Sequence, residues 1–167
     1  MSVVTYRPLD PCDAQDLAVC QAVFREAPSF VYPTGGRPAT DADVVEMFTR
    51  LPKSVSPADM HVCAIDKDGT TCGFHALLRG YPDSRTAYIA LLLLIEKEQS
   101  RLLGAQALRH IESEAKSWGC TTLAGVVDSL NDRALRFWLK QGFIEEFRKP
   151  ASGFMGDAIG IHKHIPN

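Results

Sequence analysis

The residues Leu94 to Gly104, LIEKEQSRLLG, join two segments of different character. Before them, Ala87 to Ile95 is apolar on both faces, which predicts a central, fully covered strand. After them, apolar residues recur at helical spacing from Leu102 to Trp118, and Gly119 ends the pattern. A short turn into a helix leaves several backbone N–H groups unpaired at the positive end of the helix dipole. The segment therefore predicts an anion site, where each hydrogen bond to a charged oxygen contributes about 1.5 to 3 kcal/mol.

The rest of the chain predicts alternating helices and strands around this segment. A turn at Asp66 to Gly69 separates two apolar runs and predicts a hairpin. Ala27 to Ala39 is rich in proline and glycine and predicts a loop. The other predicted helices are Ala14 to Glu26, one that begins at Thr40-Asp41, and Asn131 to Gln141; the other strands are Val3 to Tyr6, Thr121 to Val127, Phe143 to Phe147 and Ala158 to His164.

The composition of the chain limits which classes of protein are compatible with it. With 167 residues, 46% hydrophobic and 23% charged, residues 1–167 are expected to form one globular domain. A net charge of -2 argues against a nucleic-acid binder. The longest apolar run is shorter than the roughly 20 residues that cross a membrane, and the N-terminus has no signal pattern, so we expect a cytoplasmic protein without a membrane partner. The five cysteines show no metal-type spacing, so we expect thiols and no metal.

A second stretch, Asn131 to Phe143, reads NDRALRFWLKQGF. It resembles the pattern N-x-x-A-x-x-x-Y-x-K-x-G-F of the GNAT family of acetyltransferases. The family's other signature, [Q/R]-x-x-G-x-[G/A], resembles Gln99 to Gly104, with Leu102 in place of the usual glycine. Leucine suits the negative φ of a helix start, so we expect this site to tolerate it. The resemblance covers the chain from about Ala64 to Phe143.

The resemblance implies an α/β (α+β) fold: a mixed, mostly antiparallel sheet of about seven strands, with helices on both faces and a central splay. It implies acetyl-CoA as co-substrate and direct transfer of the acetyl group to a primary amine of a small molecule or peptide. An oxyanion would be stabilised by a backbone amide near Leu94 or Ile95. The cofactor residues it implies are Leu94 and Ile95 for the thioester and pantetheine, Asn131 for the pantetheine arm, and Gln99, Ser100, Arg101, Leu102, Leu103, Gly104 and Ala105 for the pyrophosphate.

The catalytic groups of the family are not matched. Trp138 stands where many members have the tyrosine that protonates the departing thiolate, and Leu91 and Val126 stand where members often carry a glutamate base. An indole cannot act as that acid at neutral pH. His75 and Asp128 are the replacement bases that the sequence offers, but water-mediated or base-free attack is the interpretation that we favour.

The acceptor site is predicted less directly. The loop Ala27 to Ala39, with Phe30, Tyr32 and Arg37, is either one wall of that site or a packed surface loop. Two other functions remain open: a non-catalytic acyl-CoA sensor or scaffold of the same fold, and an acyltransferase that uses a longer acyl donor. A homodimer is compatible with the sequence as well.

Overall fold

A computed structural model describes residues 1–32, 37–99 and 102–166. Its strands and helices follow the predicted order. The helices are α1 (Ala14–Arg25), α2 (Asp41–Thr49), α3 (Leu103–Ser117) and α4 (Asp132–Lys140), with short 3-10 turns at Pro57–Asp59 and Glu96–Glu98. The strands are β1 (Val4–Leu9), β2 (Val31–Tyr32), β3 (Arg37–Pro38), β4 (Met60–Lys67), β5 (Thr70–Arg79), β6 (Thr86–Leu94), β7 (Thr122–Asp128), β8 (Ile144–Pro150) and β9 (Asp157–His164).

Seven strands form one sheet in the order β1-β4-β5-β6-β7-β9-β8. Neighbouring strands are antiparallel except β6 and β7, which run parallel. The hairpin between β4 and β5 turns at Asp68 and Gly69, whose φ angles of 50° and 82° suit a tight two-residue turn. The predicted mixed, mostly antiparallel sheet of seven strands is confirmed.

Helices cover both faces of the sheet, as predicted. Phe74 on β5 packs against Phe24 of α1 and Phe48 of α2, with ring centroids 5.8 and 6.2 Å apart. The next residue, His75, faces His110 of α3 at 5.7 Å. Since successive side chains of a strand point to opposite faces, α1 and α2 lie on one face and α3 lies on the other.

Two local predictions need correction. The predicted loop Ala27 to Ala39 contains a two-stranded ribbon, in which Val31 pairs with Pro38 and Tyr32 with Arg37. Strand β6 is also not fully covered, because Ala90 is exposed and Leu91 and Leu92 are only partly buried. Among the residues that the structure describes, no helix combines the length and apolarity needed to cross a membrane.

Candidate active site

The predicted splay lies between β6 and β7. These strands pair over only three positions, from Thr86↔Thr122 to Tyr88↔Ala124, and then diverge. A β-bulge assists the divergence: Ala76 and Leu77 of β5 pair with Leu91 and Ile89, so Ala90 is the extra residue of β6. A bulge bends its strand and increases the local twist. The second half of β6 is thereby left open on its β7 side.

Two cavities fill this opening. The larger, of about 660 Å³, lies between the end of β6, the start of α3 and one side of α4. The smaller, of about 440 Å³, lies between β6, β7 and the segment that contains Phe154 and Met155. Six residues line both cavities, so the two spaces meet at a shared wall: Ser29, Phe30, Leu92, Asn131, Ala134 and Trp138.

The start of α3 opens towards the larger cavity. Asp13, Thr40 and Asn131 cap the first turns of α1, α2 and α4 with side-chain hydrogen bonds, whereas none of the described side chains caps α3. The amide of Gln106 makes the first helical bond, 3.1 Å to the carbonyl of Leu102. The amides of Leu103, Gly104 and Ala105 come before it and have no acceptor among the carbonyls of α3 itself, as is general for the first turn of a helix, where anions can bind.

Leu102 and Gly104 shape the surroundings of this helix start. Leu102 has φ of -70° and its side chain is 82% exposed, so it leaves the helix start unobstructed. A Cβ atom at Gly104 would lie 3.2 Å from the ring of Phe137, so glycine allows α4 to pack closely against α3. Ser100 and Arg101, which were predicted to contribute to this site, lie outside the described residues.

The end of β6 presents backbone groups to the splay. The amide of Ile95 donates to the carbonyl of Cys72 at 2.9 Å, so Ile95 turns towards β5 and cannot offer its N–H to a thioester as the sequence suggested. Antiparallel pairing alternates, so Leu92 and Leu94 turn their backbone groups the other way. The Leu94 carbonyl accepts from Nε2 of Gln99 at 2.8 Å, which ties the predicted Gln99 to the end of β6.

Helix α4 supplies one side of the larger cavity. Asn131, at its N-cap, accepts from the amide of Ala134 at 3.2 Å and lines both cavities. Arg133, Arg136 and Lys140 also line the larger cavity, although the sequence analysis did not select them. Their positions recur at helical spacing, which places three cations on one face of α4. The helical spacing of these three basic residues is visible in the sequence and could have identified them.

The shared wall carries apolar and aromatic groups. The indole of Trp138 packs edge-on against Phe137 and Phe143, with ring centroids 5.0 Å apart in both pairs. Leu91 and Val126, at the two positions where a glutamate base was considered, line the smaller cavity. The centre of the site therefore presents backbone amides and hydrocarbon at the positions where a charged side chain was sought.

Asp128 lies at the smaller cavity but is held by backbone groups. Its carboxylate accepts from the amides of Leu130 at 2.9 Å, Met155 at 2.8 Å and Gly156 at 3.0 Å. These bonds fasten the segment before β9 to the end of β7. The structure thus gives this carboxylate a positioning role for the wall formed by Phe154 and Met155.

His75 lies outside the splay. Its side chain is fully buried on the face covered by α3, and it is not among the residues that line the two cavities. Because an acceptor in either cavity would not reach it, we do not assign His75 as the base. Burial lowers the pKa of this imidazole to about 3.

The three predicted acceptor residues separate in space. Phe30 lines both cavities and packs edge-on against Phe24. Its loop is held by Glu96, which accepts from the Ser29 amide at 2.6 Å. Arg37 instead donates to Asp43 at 2.6 and 3.2 Å and holds the pKa of that carboxyl well below its usual range. The side chain of Tyr32 lies outside what the structure describes.

Comparisons with known proteins agree with this architecture. The chain superposes on an acetyltransferase from Thermus thermophilus with a TM-score of 0.77 and 25% sequence identity, over 97% of each chain. The ribosomal-protein-S18-alanine N-acetyltransferase from Escherichia coli gives 0.70 and 17% identity over 100% of this chain and 96% of that chain. The structure of yncA from Salmonella typhimurium with its cofactor acetyl-CoA gives a TM-score of 0.67 and 16% identity over 98% of this chain and 95% of that chain. At their identities, the last two show the fold alone.

No curated protein sequence matches the chain significantly. The sequence model of the acetyltransferase (GNAT) family, however, matches residues 21–143. That range includes β6, the uncapped start of α3, β7 and all of α4. The protein belongs to the GNAT acetyltransferase family.

Proposed function

We propose that the protein is an N-acetyltransferase that moves an acetyl group from acetyl-CoA directly to a primary amine of a small molecule or peptide. The observation that carries this proposal is the contact between the two cavities at Leu92 and Trp138. The larger cavity is lined by Gly104 at the start of α3, where we place the anion site, whereas the smaller one is lined mainly by strand residues and hydrocarbon. A donor in the first and an amine in the second would meet at the shared wall.

The larger cavity fits the donor. Acetyl-CoA carries a pyrophosphate, which suits the amides of Leu103 to Ala105, and a further phosphate, which suits the cations of α4. The pantetheine arm would lie along Leu94, with the carboxamide of Asn131 on its other side. The carboxamide NH₂ can donate to a pantetheine carbonyl while the oxygen caps α4.

The acyl carbonyl would lie beside the Leu92 amide. Leu92 lines both cavities, whereas Leu94 lines only the larger of these two. A preorganised N–H at this point can stabilise the negative oxygen of the tetrahedral intermediate, and the loss of such a donor typically costs about 2.7 to 4 kcal/mol. Attack forms the C–N bond and moves an electron pair of the carbonyl onto its oxygen. When this intermediate collapses, the C=O bond is restored, the C–S bond breaks and the thiolate leaves. We assign oxyanion stabilisation to Leu92 rather than to Leu94 or Ile95.

The acceptor must arrive as a neutral amine, because none of the described side chains at the shared wall is placed to take its proton. Trp138 has an indole that cannot act as the acid, and Leu91 and Val126 are apolar. Neutralising an ε-amine with a pKa of about 10.4 costs roughly 4.6 kcal/mol at pH 7, against roughly 1.1 kcal/mol for an α-amine near 7.8. In this proposal, water accepts the proton after attack.

We expect Asp128→Asn to act on structure rather than on proton transfer. The Asp128 carboxylate accepts hydrogen bonds from three backbone N–H groups. In the asparagine variant an NH₂ group faces one of these donors, so that hydrogen bond is lost and Met155 and Gly156 are held less firmly. The KM of the acceptor and the melting temperature should change, whereas kcat should fall less than about tenfold. Steady-state kinetics over a range of pH, with thermal denaturation alongside, measures these quantities.

A base at this position would behave differently. Loss of a general base typically costs about 10²- to 10⁴-fold in rate, and the corresponding limb of the pH profile disappears. That pair of results with Asp128→Asn would overturn the assignment. Asp132→Asn replaces an exposed carboxylate in the first turn of α4 and is the matched control. It should change neither the rate nor the pH profile appreciably.

The cations of α4 give a salt-dependent prediction. Replacing Arg133, Arg136 and Lys140 by alanine should weaken acetyl-CoA binding about tenfold, since exposed charges contribute about 0.2 to 1 kcal/mol each. The difference from the unmodified protein should shrink as salt is added. Calorimetry at two ionic strengths tests this, with Lys116→Ala, near the far end of α3, as the control. An affinity loss that salt leaves unchanged would exclude an electrostatic role.

Two alternative functions use the same donor site but differ in whether transfer occurs or in which acyl group is transferred. The apolar groups at the usual catalytic positions are compatible with a sensor that binds acyl-CoA without turnover, or with an acyl donor longer than acetyl. Release of CoA over a panel of amines, combined with calorimetry for acetyl-CoA and longer acyl-CoA, separates the three. Turnover with acetyl-CoA supports our proposal. Tight binding without turnover on any amine supports the sensor, and absence of binding contradicts all three.

A further inference from the structure

Four metal-binding side chains converge on the face of the sheet covered by α3. Cys63 of β4 and His75 of β5 occupy directly paired positions in the sheet. His110 and Glu114 lie one helical turn apart on α3, with 3.8 Å between Nε2 of His110 and Oε2 of Glu114. One ligand atom from each of the four residues lies within 4.8 Å of the others. We propose that these residues form a structural Zn²⁺ site.

The cluster contains buried polar atoms that need a partner. Both ring nitrogens of His75 and Oε2 of Glu114 are inaccessible to solvent and have no hydrogen-bond partner among the described residues. His75 is itself fully buried. An unsatisfied buried donor or acceptor costs about 1 to 3 kcal/mol, so three such atoms in one place are unfavourable without a ligand.

The distances are too long for hydrogen bonds but close to those around a shared metal. Nε2 of His75 lies 4.0 Å from Oε2 of Glu114, beyond hydrogen-bond range. Metal bonds of about 2.0 to 2.3 Å in tetrahedral geometry place ligand atoms roughly 3.3 to 3.8 Å apart. A contraction of at most about 1.5 Å in any pair would bring the four atoms, now within 4.8 Å of one another, to that spacing. Small side-chain rotations at Glu114 and His110, which are partly exposed, can supply it.

The ligand set also matches the charge of Zn²⁺. A thiolate and a carboxylate neutralise the two positive charges, and two imidazoles coordinate as neutral ligands, so the complete site has no net charge to bury. When the metal binds, the Cys63 sulfur exchanges its S–H bond for a metal–sulfur bond and the proton leaves to solvent. Mixed nitrogen and sulfur ligands favour zinc over magnesium or calcium.

Neighbouring groups hold the ligands in place. The ring of Tyr6 stacks on His110, with centroids 3.8 Å apart and planes 4° from parallel. The pairing of β4 with β5 fixes Cys63 beside His75. All four coordination positions come from protein, as in structural rather than catalytic zinc sites. The metal would tie α3 to the sheet roughly 10 Å along the helix from the amides at Leu103.

The test uses the full chain without a histidine tag. After removal of metal by a chelator, Zn²⁺ is titrated in competition with a chromophoric indicator, and the melting temperature is measured with and without the metal. We expect one Zn²⁺ per chain and a higher melting temperature in its presence. Co²⁺ in place of Zn²⁺ should give the absorption bands of a tetrahedral site with a cobalt–thiolate bond.

Variants distinguish this site from adventitious binding. His110→Ala removes a partly exposed ligand and should lower Zn²⁺ affinity at least about 100-fold, because even outer-shell changes cost roughly 10- to 100-fold. Cys63→Ser should abolish the cobalt–thiolate band, and if it fails to fold, His110→Ala carries the test alone. His162→Ala, on β9, is the control. Less than one equivalent of Zn²⁺ bound, equal affinity in His110→Ala, or an unchanged melting temperature would overturn the proposal, whether or not the protein transfers acetyl groups.

Discussion

Leu102→Asp is expected to weaken acetyl-CoA binding at least about 100-fold while the folded protein becomes no less stable. Leu102 is 82% exposed, so its replacement removes no core contact. A carboxylate there competes for the amides at the start of α3 and repels the pyrophosphate. Two charge-assisted hydrogen bonds lost at about 1.5 to 3 kcal/mol each account for the effect. The same carboxylate interacts favourably with the helix dipole, by about 0.3 to 1 kcal/mol.

The opposite signs of these two effects make the prediction specific. Leu102→Asn has nearly the same shape as the aspartate variant without the charge and should lose much less affinity, so it is the matched control. Calorimetry gives the dissociation constants and thermal denaturation gives the stabilities. If Leu102→Asp binds acetyl-CoA as tightly as the unmodified protein, the start of α3 is not the pyrophosphate site.

Low-pKa amines are expected to be much better acceptors than lysine-like amines at pH 7. The difference in neutralisation cost, about 1.1 against 4.6 kcal/mol, corresponds to roughly a 400-fold difference in the neutral fraction. None of the described groups at the shared wall removes the proton. We therefore expect kcat/KM to rise about tenfold per pH unit until the pH reaches the pKa of the acceptor amine. The profile should therefore level off near about 7.8 for an α-amine and near about 10.4 for an ε-amine.

The dependence on the acceptor is what distinguishes this account from general base catalysis. An enzyme base would give the same inflection for every acceptor, because that pKa belongs to the free protein. Initial rates for a peptide N-terminus and for a blocked lysine, measured over one pH series with the same preparation, decide between the two. A common inflection below about pH 8 for both acceptors would show that a protein group removes the proton.

Local signals in the sequence were sufficient for much of the fold. The Asp68-Gly69 turn and the uninterrupted apolar strand before Gln99 could be predicted because each depends only on residues that are close together in the sequence. The ribbon of β2 and β3 was missed because strands of two residues show no periodicity. The bulge at Ala90 was not readable either, since it depends on how β5 and β6 align.

The sequence predicted part of the site, and the features that it did not predict have a common cause. The choice of Leu92 over Ile95 depends on which residues of β6 turn their amides towards β5. Likewise, the group of Cys63, His75, His110 and Glu114 draws ligands from the hairpin of β4 and β5 and from α3, which β6 separates from that hairpin in sequence. Such groupings follow from tertiary structure, and a spacing rule cannot find them. The cations of α4 are the exception, since their helical spacing was visible.

A crystal structure of the protein with acetyl-CoA is the most direct test of the central claim, that the acyl carbonyl lies at the wall shared by the two cavities. We predict pyrophosphate oxygens within hydrogen-bond distance of the amides of Leu103 to Ala105. We also predict the thioester oxygen about 2.7 to 3.1 Å from the amide nitrogen of Leu92, with the acetyl group facing the smaller cavity. Acetyl-CoA bound outside the splay, or with its thioester oxygen turned away from Leu92, would contradict the account.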